Sequence, residues 1–158
     1  MAAFILKEGL GASSLRPLAK AAKTSDRMLL YYFKDKADVI SASLEHILGG
    51  LVILLEEHTA SQPLPAKKLQ ARLEALLLED KMWPYMSLWL EIASLSAKGD
   101  KFYAAVGEQI GRGLLDWVKQ QLKSKSPKAR DAEAADLLVT IEGKVLLKCI
   151  GMQDVYGK

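Results

Sequence analysis

The sequence predicts an all-α protein, and three observations predict it. Apolar residues recur at three- and four-residue spacing in every segment long enough to have a period, and no stretch alternates with the period of two that a strand requires. Helix-start signals (Ser14, Ser25, Asp35 and the Ser126-Pro127 pair) stand directly ahead of those periodic stretches. The 158 residues are 50% hydrophobic and 26% charged, ordinary values for a folded soluble chain with one core or two small helical units. The expected architecture is an N-terminal helix-turn-helix unit of three helices over residues 1–36. A long connecting helix joins it to a helical-bundle regulatory and dimerisation core, the second domain running over residues 37–158.

The elements follow in order. Residues 2–8 form a short helix that covers its neighbours with Phe4 and Ile5 and stops at Gly9 and Gly11. The next helix is capped by Ser14 and must begin within about three residues of Pro17. Leu15, Leu18, Ala19 and Ala22 give it one buried stripe. After Lys23 and Thr24, Ser25 caps a third helix in which Met28, Leu29, Tyr32 and Phe33 form a buried stripe, leaving Asp26, Arg27, Leu30 and Tyr31 on an exposed front.

Asp35 caps a long helix from Lys36 to about His58, with Gly49 and Gly50 offering a bend in its middle. The loop TASQPLP precedes a helix from about Ala66 to Leu78, and Met82 to Leu95 is apolar nearly all round, as a central helix would be. Lys101 to Leu122 and a last helix from Pro127 to about Met152 complete the chain.

The run SLRPLAKAA, then TS, then LLYYFKDK resembles the DNA-binding signature of the TetR-like transcriptional regulators, over about a quarter of the chain. The resemblance implies that the front of the third helix reads bases through Asp26, Arg27, Met28 and Tyr31, beside the capping Ser25, and that Arg16 also reaches DNA. Phosphate contacts fall to Ser14, Tyr32 and Lys36. Lys23 stands where the family prefers Gly, a position where positive φ costs another residue about 1 kcal/mol. Leu30 replaces the usual phosphate-binding Tyr, and the first helix is shorter than the family's.

Charge agrees with that placement. The net charge of +3 is modest, but residues 1–36 carry seven Lys/Arg against three acids, a net +4, and the remainder a net −1. The single Cys149 excludes an internal disulfide and any multi-thiolate metal site, and is expected as a buried small hydrophobe. The longest uncharged apolar run, Ile47 to Leu55, is too short to span a bilayer, so no membrane partner is expected and the location is cytoplasmic.

No phosphate loop, zinc-protease pattern or spaced nucleophile and histidine is present, and no metal, cofactor or catalytic residue is expected. Met82 to Leu95 instead gathers Trp83, Met86, Trp89 and Leu90 around Glu91, close in sequence to Phe102 and Tyr103, with His46 a possible partner for the carboxylate. Such walls suit a small hydrophobic or aromatic effector.

The expectation is a ligand-responsive regulator that represses from a palindromic operator on double-stranded DNA. It would act as a homodimer through its last two helices, with Gly107, Gly111 and Gly113 allowing close approach and Leu138, Ile141 and Val145 supplying apolar area. The alternative is a small-molecule sensor or carrier that keeps the core and has lost DNA binding. A helical enzyme using Glu91 and His46 is a distant third.

Overall fold

The computed structural model describes residues 1–156; positions 157 and 158 of the expected second domain lie outside the described residues. The chain is all-helical, with eight α-helices, one short 3-10 turn and no strand among the described residues. It divides by packing into two units, Met1–Glu57 and His58–Lys158. The long connecting helix therefore belongs to the first unit, and the division falls after Glu57 rather than at residue 36.

The first unit holds α1 (Ala2–Glu8), α2 (Leu15–Ala21), α3 (Asp26–Tyr32) and α4 (Lys36–Glu57). The helix α1 packs on α4 and α2 packs on α3. Ile5, Leu10, Leu18, Ala19, Leu29, Val39, Ile40 and Leu44 are buried. Gly9, at φ 80, ends α1 in a backbone conformation that a side chain resists, and its carbonyl accepts from the buried Ser13 hydroxyl at 2.7 Å. Asp35 caps α4 as expected, its carboxylate accepting from the Asp38 amide at 2.9 Å. The helix then runs unbroken through Gly49 and Gly50. Among the described helices α4 alone has the length and composition to cross a membrane, although Glu45 and His46 sit at its centre.

The second unit holds α5 (Ala66–Leu77), α6 (Trp83–Ala97), α7 (Lys101–Gln121) and α8 (Pro127–Cys149), followed by the 3-10 turn Gln153–Val155. The helix α6 lies along α7, α5 lies along α8, and α7 and α8 pack together. Leu69, Leu73, Leu76, Met82, Ile92, Val118, Leu137, Ile141 and Val145 fill the space between them.

Segment 58–64 is strapped to this bundle. Arg72 donates twice to the His58 carbonyl at 2.8 and 3.1 Å, the Trp117 indole donates to the Thr59 hydroxyl at 3.1 Å, and the Ala60 amide donates to the Gln121 side chain at 3.0 Å. Backbone bonds of 2.7 and 2.8 Å then pair Leu64 with Gln121 and Lys123. Polar contacts also join α5 to α8. Lys144 pairs with Glu74, and Lys148 donates to the Leu78 carbonyl, capping α5, at 2.5 Å.

Several expectations need correction. Ser14 stands at the N-cap of α2 with extended backbone, but its side chain makes no cap bond. Ala22 lies past the end of α2 and is exposed. The helix α6 is not enclosed on every side: Met86, Leu88 and Ile92 are buried, whereas Ser87, Ala93 and Ser94 are exposed. Cys149 is exposed rather than buried, since the buried stripe of α8 ends at Val145 and the helix itself stops at Cys149.

Candidate functional site

The turn between α2 and α3 is tight because Lys23 takes φ 55, the left-handed conformation, which lets the Thr24 amide reach back to the Ala19 carbonyl at 2.9 Å. Ser25 then caps α3 by accepting from the Met28 amide at 3.2 Å. This fixes where the third helix starts and which of its sides faces inward. Only Leu29 of its seven residues is buried. At 100° per residue, Arg27 and Tyr31 stand opposite Leu29, with Met28 and Leu30 on the two shoulders.

The expected buried stripe is therefore narrower than its spacing implied. Leu29 is buried and Phe33 half-buried, but Met28 is 43% exposed and Tyr32 is 72% exposed. Short α2 offers too little surface to cover them. Tyr31 is 77% exposed and Leu30 47%. The Tyr31 and Tyr32 rings meet edge to face at 5.0 Å while both remain exposed.

The same stretch of chain carries Arg16, Lys20, Lys23, Arg27, Lys34 and Lys36, all exposed. Over residues 14–36 the six cations face two acids, Asp26 and Asp35, a net +4. None of the six takes part in an ion pair among the described residues. Ser14 is exposed and makes no side-chain cap bond, while Ser25 is engaged in its cap. At the start of α4 the expected phosphate cradle is partly filled: the Asp35 carboxylate takes the Asp38 amide, and the Asp38 carboxylate accepts from the Lys34 amide at 3.0 Å. Lys36 is thus left with its ammonium rather than with a free helix end.

The residues expected to line an effector site are divided. Trp83, Met86, Trp89, Leu90, Glu91, Phe102 and Tyr103 belong to the second unit, whereas His46 is an exposed residue of the first. Trp83 is half-buried, and the Lys148 ammonium sits over its ring at 4.7 Å. Phe102 and Tyr103 meet edge to face at 5.0 Å. Burial, with nearby Asp100 and then Glu91, raises the Tyr103 phenol above its ordinary value.

The carboxylate that meets a tryptophan is one the sequence did not single out. Trp89 donates its indole N–H to Glu142 Oε2 at 2.6 Å, from α6 to α8. Its ring lies over α7 at Gly107 and Gly111, where an added Cβ would stand 3.9 and 4.0 Å from it. Burial raises the Glu142 carboxyl above the usual range, against the lowering effect of the indole bond. The partners are 53 residues apart, so no local spacing announces the pair.

The faces expected to dimerise also change. Gly107 and Gly111 face Trp89 within the chain, and Ile141 and Val145 are buried in the bundle, with Leu138 half-buried. What α8 leaves outward is Val139, Gly143 and Leu146, continued by Ile150 just past its end, at spacings of three and four residues. Comparison with protein-family models, curated proteins and solved structures finds no match to this chain.

Proposed function

We propose that the chain is a ligand-responsive, DNA-binding transcriptional regulator of TetR-like type, acting on double-stranded DNA as a cytoplasmic homodimer. The observation that carries the reading is the front of α3. A capped two-turn helix presents Arg27 and Tyr31 outward, within a segment, 14–36, whose six exposed cations have no acidic partner among the described residues. An unneutralised basic patch around an outward helix suits a polyanion with a groove about 12 Å wide. The resemblance of SLRPLAKAA and LLYYFKDK to the family's signature supports the same assignment.

In this reading Asp26, Arg27, Met28 and Tyr31 face base edges, while Ser14, Tyr32 and Lys36 meet phosphates and Arg16 adds charge. One such unit reads too few bases for useful affinity, and the outward stripe of α8, with Val139, Leu146 and Ile150, offers a surface for pairing two chains. The effector is a small aromatic or hydrophobic molecule received near Trp83, Met86, Trp89 and Tyr103, and its binding weakens the grip on the operator, so the protein represses.

The second reading, a sensor or carrier without DNA binding, is favoured by the two carboxylates at the start of α4 and by the apolar Leu30. A gel shift with the DNA upstream of the protein's own gene separates them. A retarded band that Arg27→Ala removes supports the regulator, and an unshifted duplex at micromolar protein leaves the carrier.

A further inference from the structure

A seven-residue helix that leaves Met28, Leu30, Tyr31 and Tyr32 in water needs an occupant for that face, since clustered exposed apolar side chains mark contact surfaces. The occupant has to satisfy two demands together. It must be polyanionic, because residues 14–36 carry six exposed cations, Arg27 on the face itself, with no acidic partner among the described residues. It must also offer apolar groups small enough to meet single side chains on the shoulders of a helix about 10 Å long. The major groove of B-DNA carries one such group, the thymine 5-methyl.

Resting on the DNA-binding reading, we infer that Met28 and Leu30 are specificity residues that select thymine in the half-site by contact with its methyl group, alongside Arg27, the polar reader between them. Arg27 donates to a purine edge, most favourably guanine O6 and N7. The two shoulder side chains exclude water from the methyls, and the Tyr31 and Tyr32 rings, edge to face, stand beside them on the same short helix. A polar pair at positions 28 and 30 would tolerate cytosine or uracil in place of thymine, whereas an apolar pair discriminates against both. A membrane is the weaker fit, because a two-turn helix presents little apolar area to lipid and carries a cation, Arg27, at the centre of its front.

The test selects binders from a pool of random-sequence duplexes and remakes the enriched duplex with deoxyuridine for deoxythymidine. Each lost methyl contact is expected to weaken binding about fourfold, the value of one buried methylene-sized group. The double variant Met28→Gln, Leu30→Gln keeps helix-forming, near-isosteric side chains at exposed positions, so folding is preserved and circular dichroism checks it. It should still bind DNA, with a thymine-to-uracil ratio near one. Specific binding that ignores the methyls overturns this inference and leaves the regulator reading standing. No binding to any duplex overturns both. Binding to anionic phosphatidylserine vesicles that the double variant loses, without enrichment of any duplex, assigns the face to a membrane and also overturns it.

Discussion

At the scale of single residues, Lys23 shows a side chain retained against its backbone. A non-glycine residue at φ 55 carries a conformational cost that glycine does not. Lys23→Gly should stabilise the protein by about 1 kcal/mol in urea unfolding. In the DNA-binding reading it should also weaken binding by removing a cation, so that stability and affinity move in opposite directions. Arg27→Ala should cost about 1 to 3 kcal/mol in operator binding and relax base preference. Lys36→Ala should weaken all duplexes alike and lower the slope of log affinity against log salt by about one. These expectations are checked by titrating each variant with matched and scrambled duplexes at several salt concentrations. The left-handed residue and the Ser25 and Asp35 caps were legible in the sequence, because turn and cap chemistry is local. The exposure of Met28 and Tyr32 was not, because spacing marks the side that faces inward and says nothing of how much surface a short neighbour can cover.

At the scale of elements, α8 carries a carboxylate contact on each of two sides, and their pH dependences have opposite sign. Glu74 on α5 is partly buried, which alone would raise its carboxyl, but the bonds from Lys144 and Gln70 pull it below the ordinary value. A depressed carboxyl contributes stability above its unfolded value and loses it as pH falls through the folded value. Glu142 is raised by burial, so its contribution is fullest at low pH and is lost as pH rises above about 4.5 through the folded value. Glu74→Gln should therefore lower stability at pH 7 by about 1 kcal/mol, an effect that fades as pH falls below about 4.5 and through the folded value. Glu142→Gln keeps an acceptor for the Trp89 indole and should raise the melting temperature at pH 7, the gain disappearing toward pH 4. Thermal unfolding of both variants across that range checks the two signs. Glu142 escaped the sequence because a bond between α6 and α8 leaves no periodic trace. The starts of α4 and α8 did not escape it, since Asp35 and Ser126 each place a side-chain oxygen where the first amides need one.

For the whole molecule, the all-helical class and the order of the helices were legible because every long apolar period is helical and every break carries Gly, Pro or a cap. The division into units after Glu57 was less so. Apolar periodicity in α4 marks which residues face inward, not which core they belong to. Assembly belongs to this scale. Leu146→Glu on the outward stripe of α8 should shift the species in sedimentation from about 35 kDa to the 17.4 kDa monomer while leaving the helical content unchanged. A single 17.4 kDa species for the unaltered chain at micromolar concentration would remove the dimer from the account.

The central claim, that the basic and aromatic front of α3 reads double-stranded DNA, is tested most directly by selection of the purified chain on random-sequence duplexes, followed by a salt titration of what it enriches. The account predicts a near-palindromic site with half-site centres about ten base pairs apart and an affinity that falls steeply with salt. Recovery of an unenriched pool, with no salt-dependent retention of any duplex, would contradict it.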